Sequence, residues 1–280
     1  MQMGGISLQN AESREYLLQE LQKIEQWEQE QKDLWFWEKI GRLPFVLLDK
    51  VTPKFLRDKI GQAIDEVGSY IQSGGQYLIN EKHVLDKFAS VPDVSTALPL
   101  STVSEIGCLP LHVMDTVAQD LSKSRTQFAM VQGAATGIGG IFTLAIDIPA
   151  LLGLSLKILQ EIAVSYGYNP NDKEERIFII KCMQFVSSDI VGKKAIIEEL
   201  SVFHDSQRER QAMAQLQGWH EVAMTHLDNF GWKKLFQLIP IVGILFGAYI
   251  NKNTIEEMSE AGRMLYRKRR ILEKMNKHVS

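Results

Sequence analysis

The segment QFAMVQGAATGIGGIFTLAIDIPALLGLSL, residues 127 to 156, decides how this chain is read. Between Arg125 and Lys157 its only charge is Asp147. Thr126 to Ile146 alone reaches the roughly 20 apolar residues that suffice to cross a bilayer. Small residues crowd it, however: Gly133, Ala134, Ala135, Gly137, Gly139 and Gly140. Each glycine costs a helix about 1 kcal/mol relative to alanine. Gly133 and Gly137, four apart, suit a close helix approach in lipid or in a tight core. Asp147-Ile148-Pro149 has the form of an N-cap with a proline in the first turn. The expectation is a central helix pair hinged at Asp147, roughly Lys123–Ile146 and Ile148–Tyr166. The competing reading gives Asp147 a ligand or ion, because a lone carboxylate in lipid needs a partner.

Outward from this centre, helical periodicity dominates. Leu17, Leu21 and Ile24 recur at steps of four and three, predicting a long amphipathic N-terminal helix from about Asn10 to Ile40. Thr52-Pro53 signals the start of another helix, and Gly74-Gly75 signals its end. Gln76–Phe88 reads as a further helical piece, and Ala89–Gly107, with Pro92 and Pro99, as a long loop. Helical pattern resumes near Leu111. At Tyr166-Gly167-Tyr168-Asn169-Pro170-Asn171, Gly167 suits a helix C′ position and Pro170 forbids continuation. Asn171 and Glu174 read as a capping pair for the helix that follows. Further helices are expected near 172–188, 193–203, 207–229, 234–250 and 253–276. The fold class is therefore all-α: a single multi-helix domain over 10–276, with a flexible N-terminus at 1–9 and a tail at 277–280.

Composition narrows the class of function. With 45% hydrophobic and 23% charged residues the chain has the make-up of a globular protein rather than a disordered one. A net charge of −3 excludes a strongly basic nucleic-acid footprint over the whole molecule. The sign is unevenly spread. Residues 1–40 hold eight acids and four bases, and residues 252–280 hold eight bases and four acids. The basic run Arg267-Lys268-Arg269-Arg270 is the candidate basic surface, either solvated or facing anionic lipid. Two distant cysteines and no apolar leader fit a reducing, cytoplasmic setting. A second apolar stretch, Leu235–Ile250, contains Pro240 and Gly243 and precedes Asn251; at 16 residues it is short for a span.

Catalytic motifs are imitated but not completed. Gly133 to Gly139 has the glycine spacing of a dinucleotide-binding turn, but no strands follow to build a βαβ unit. His220-Glu221 begins a zinc-protease motif, but Met224 stands where the second histidine is needed. No P-loop and no nucleophile elbow occurs. The expectation is no catalytic residue, no metal and no cofactor.

Taken in order, Gln132-Gly133, Gly137, Gly139-Gly140, Asp147-Ile148-Pro149, Tyr166-Gly167-Tyr168, Ile239-Pro240, Gly243 and Asn251, with Trp27 and Trp35 near the start, resemble the bacterial EcsC protein family over roughly Tyr16 to Lys268. The resemblance implies association with an ABC exporter linked to protein secretion and processing, and it assigns no catalytic residue. Gly133, Gly137, Gly139, Gly140, Asp147, Pro149, Pro240, Gly243 and Asn251 are carried as candidate ligand- or membrane-related positions. The leading expectation is a non-enzymatic accessory protein, cytoplasmic and peripheral at the inner face of the cell membrane. Its partners would be the inner membrane surface or anionic lipid and an ABC transporter, with no nucleic acid. The alternative is a soluble binder of lipid or another apolar ligand. The third is a hydrolase using Asp147 as its base.

Overall fold

A computed structural model describes residues 12–33, 54–91, 100–136, 141–188, 190–201 and 254–277. Among them there are nine α-helices, one 3-10 turn and no strands. The helices are α1 (Arg14–Asp33), α2 (Lys54–Ser73), α3 (Lys82–Phe88), α4 (Val103–Ile106), α5 (Leu111–Thr136), α6 (Ile141–Ser165), α7 (Lys173–Ser187), α8 (Ile190–Ser201) and α9 (Thr254–Lys277). The 3-10 turn spans Gly75–Tyr77. The all-α expectation holds.

Helix α6 is the axis of the bundle. It touches α2, α3, α4, α5, α7, α9 and the 3-10 turn. A helix surrounded in this way is apolar on most of its circumference. From Leu152 onward Leu156, Ile158, Leu159, Ile162, Ala163 and Val164 are all buried, and Lys157 is exposed. Helix α9 comes close to this axis at Gly262, where a Cβ would lie 2.6 Å from Leu159 Cδ2. Around the axis, α1 contributes Leu17, Ile24 and Trp27, and α7 contributes Ile177, Phe178 and Phe185. Trp27 and Phe185 pack with ring centroids 5.5 Å apart.

Several local signals work as read. Gly167 has φ 80°. Its N–H donates to Val164 O (2.8 Å), and Tyr168 N–H donates to Ala163 O (3.0 Å). Those two bonds make a Schellman motif that closes α6. Gly74, with φ 78°, closes α2 by donating to Tyr70 O at 2.8 Å.

Other signals misled. The hinge is not at Asp147: α6 starts at Ile141 and passes through Asp147 and Pro149 to Ser165. Helix α5 is described to Thr136 and α6 from Ile141. A proline has no N–H to donate, so α6 continues with one hydrogen bond fewer rather than starting there. Thr126–Ile146 is thus divided between two helices. No helix among the described residues is long and apolar enough to cross a membrane.

Ala89–Gly107 contains a helical turn, α4, whose Glu105 carboxylate accepts from the backbone N–H groups of Ser101 (2.8 Å) and Thr102 (3.4 Å). Gln76–Phe88 is two pieces, the 3-10 turn and α3. The N-cap of α7 is Asp172 rather than Asn171, and the Asn171 side chain donates to Glu81 and Asn169 instead. Helix α1 is described to Asp33. The Thr52-Pro53 start, Trp35 and the helices expected at 207–229 and 234–250 lie outside the described residues.

Candidate functional site

Four consecutive bases on a helix point in four directions, because each residue turns the helix by about 100°. Arg267, Lys268, Arg269 and Arg270 therefore meet whatever surrounds α9 on all sides. Helices α1, α5, α6 and α7 surround it, and acids wait on three of them. Arg267 donates to both carboxylate oxygens of Asp115 (3.0 and 2.9 Å) on α5 and to Glu20 (2.5 Å) on α1. Lys268 reaches both oxygens of Glu28 (2.7 and 2.8 Å) on α1. Arg269 pairs with Glu175 (2.8 Å) on α7 and lies 4.0 Å from the ring centroid of Tyr168. Arg270, 6% exposed, donates to the Tyr166 carbonyl (2.8 Å) and to Glu273 (2.8 Å), and its guanidinium also lies over Tyr168.

Lys274 extends the seam. It reaches Glu12 (2.5 Å) and the Leu109 carbonyl (2.7 Å). Glu12 in turn accepts from Leu111 N–H at 2.6 Å, covering one of the open amides at the start of α5. Trp27 Nε1 donates to Glu260 at 2.8 Å.

The expected basic surface is therefore corrected. Arg267 to Arg270 form an interior seam, because the acidic excess of the first helix and the basic excess of the last are complementary halves of one interface.

Two tyrosines complete the seam. Tyr166 donates to Asp115 (2.7 Å), and Tyr266 donates to Glu175 (2.5 Å). Burial pushes the Asp115 and Glu175 carboxyls above their ordinary values, against the pull of Arg267 and Arg269 respectively. Burial also acts to raise Glu20, but its bonds to Lys23 and Arg267 bring it below the ordinary carboxylate value. Burial alone would lower the Arg269 guanidinium; Glu175, Tyr168, Tyr266 and Glu273 together outweigh it and hold Arg269 charged. Such charges are costly to desolvate, so removing one partner hurts far more than the pair itself contributes.

These groups satisfy one another, which leaves them poorly suited to acid–base work on a substrate. A recess beside the seam, lined by Glu28, Phe178, Lys268 and Arg269 among others, has a volume of about 20 Å³, room for about one water molecule. Among the described residues no cluster of His, Cys, Asp and Glu is arranged to hold a metal.

Two further clamps hold the bundle. Arg176 gives its guanidinium to the carbonyls of Ile71 (3.1 Å) and Gln72 (3.0 Å), the last turn of α2, and to that of Asn171 (2.5 Å). Arg125 on α5 forms a two-point bond with Glu161 on α6 (2.8 and 2.5 Å), tying the two helices together where the apolar stretch begins.

Gly133 lies in α5, and Asp147 and Pro149 lie in α6. Gly137, Gly139, Gly140, Pro240, Gly243 and Asn251 are outside the described residues, as are His220 and Glu221. Reading the motifs missed Asp115, Glu175 and Glu161 entirely. The opposite charge bias of the two terminal segments was the available signal for the seam, since it shows only when the two ends are compared.

A sequence profile described as the EcsC protein family matches residues 18–271. The chain is 51% identical over 265 residues to an uncharacterized protein, YdbA, of Bacillus subtilis (strain 168), which covers 94% of this chain and 96% of that one. It is 28% identical over 169 residues to Protein EcsC of the same organism, covering 60% of this chain and 69% of the relative. No solved structure matches.

Proposed function

The chain belongs to the EcsC protein family, and we propose that it is a non-enzymatic accessory protein, peripheral at the inner face of the cell membrane, that works beside an ABC transporter in protein secretion or processing. The transporter link is what the EcsC resemblance implies. The observation that carries the membrane part is the contrast within one helix pair. Up to Arg125 and from Leu152 the two helices sit in a charge-locked bundle, whereas residues 126–151 between them hold one charge, Asp147. An apolar stretch on an anchored scaffold suits a lipid surface. The seam leaves the contact to apolar groups rather than to Arg267–Arg270.

Flotation with vesicles of phosphatidylcholine and phosphatidylglycerol tests this reading. The full chain is expected to float at both low and high salt. A chain that stays at the bottom of the gradient in both removes the membrane role.

A further inference from the structure

Helix α1 runs antiparallel to α9 in a fixed register. Trp27, Glu20 and Glu12 meet Glu260, Arg267 and Lys274 in turn. The three α9 positions are seven residues apart, the step that keeps one face of a helix toward a paired helix. Leu17 and Ile24, also seven apart, are buried on the matching side of α1. Gln31 accepts from Lys193 of α8 at 3.1 Å. Helix α1 is thus docked along α8 and α9, and it is not among the main neighbours of α6, the axis of the bundle.

Polar positions on such a face fix register and partner choice at the expense of stability. Lys268 holds Glu28 and Lys274 holds Glu12. The two bases are only 17% and 15% exposed at the side chain. If α1 left without a replacement, both ammonium groups would lose their counter-charge in a mostly desolvated setting, which is costly. A helix that brought its own acids would restore the pairs, so that exchange is close to balanced. A neutral or basic helix would not, which makes the face selective by repulsion as well as by attraction.

We infer that the face of α8 and α9 beneath α1 is a docking site for an acidic amphipathic helix of a partner protein, with α1 as its resident, displaceable occupant. The partner is identified by that chemistry: carboxylates placed like Glu12, Glu20 and Glu28, beside an apolar stripe like Leu17, Ile24 and Trp27. Because α1 is tethered, it competes at an effective concentration on the order of millimolar. A partner helix therefore displaces it only when contacts elsewhere hold that helix close. Such docking is independent of any contact with lipid.

The test uses the full chain and a fluorescein-labelled peptide of residues 12–33, read by anisotropy. Ile24→Lys puts a charge where Ile24 is fully buried, and it should lift α1 while circular dichroism keeps the rest of the helical signal. The peptide should then bind the variant at least tenfold more tightly than the parent chain, whose own α1 holds the face. A peptide with Glu28→Lys should lose at least tenfold, and should regain it on a chain carrying both Ile24→Lys and Lys268→Glu. A second peptide that keeps Glu12, Leu17, Glu20, Ile24, Trp27 and Glu28, with alanine or glutamine elsewhere, should bind like the first. Collapse of the variant's helical signal would make α1 part of the core and overturn the docking site. Equal binding to parent and variant, no binding to either, indifference to the charge swap, or failure of the second peptide would overturn it too.

Discussion

The basic run of α9 and the distal part of the α5–α6 pair look, as sequence, like an exterior and an interior. The packing reverses that impression for the bases. Four consecutive cationic residues are paired between helices because acids from α1, α5 and α7 surround them. Charge density alone does not locate a surface. Charge density minus its complement elsewhere in the chain comes closer.

The sharpest way to break this comparison is at Arg267. Arg267→Ala strands Asp115 and Glu20, which are 30% and 10% exposed at the side chain. Loss of a buried partner of this kind is expected to cost about 3 kcal/mol in urea denaturation. A cost under about 1 kcal/mol, the range of exposed pairs, would put the run back on the surface.

Next comes Gly167, which lets the chain turn from α6 toward α7 beside the seam. Its left-handed φ and a Cβ that would sit 2.6 Å from Gly107 N predict a loss of about 2 kcal/mol for Gly167→Ala. Thermal melting of the variant reads it directly, and an unchanged midpoint would show that the turn at Gly107 can yield.

The pH dependence separates two acids that share one arginine. The folded Glu20 is lowered from its ordinary 4.5, so its contribution is present above that value and is lost as the pH falls through the folded value. The folded Asp115 is raised from its ordinary 3.8, so its ionised form opposes folding and that penalty fades on acidification. The stability gap between the parent chain and Glu20→Gln should therefore shrink below about pH 4.5, and the gap to Asp115→Asn should move the other way. Parallel titrations of the two gaps would contradict the assignment.

The smallest expected effect on stability is at the other region. Phe128→Glu alters an exposed position and should move the unfolding midpoint by less than about 0.5 kcal/mol, whatever it does to vesicle binding. A large loss of stability there would mean that Phe128 belongs to the core.

What was legible in the sequence follows from the range of each signal. Helix identity came through because 3.6-residue periodicity is local, as at Leu17, Leu21 and Ile24. Stops at Gly74 and Gly167 came through because each requires a backbone that glycine adopts readily. The hinge was misplaced because Asp147-Pro149 is a good local start signal, while α6 is held from outside by seven neighbouring elements. The capping pair at Asn171 failed by one residue because the Asn171 side chain donates to Glu81 and Asn169 instead. The seam itself joins residues as many as 262 positions apart, a distance over which no motif or period speaks.

That separation also sets an order of events on the ribosome. Glu20 emerges before its partner Arg267, which follows 247 positions later. At about 5–20 residues per second the wait is on the order of 12–50 seconds. Throughout it, α1 is a nascent acidic helix without its cationic half. Helix α9 therefore closes the seam, which stays incomplete until α9 has emerged.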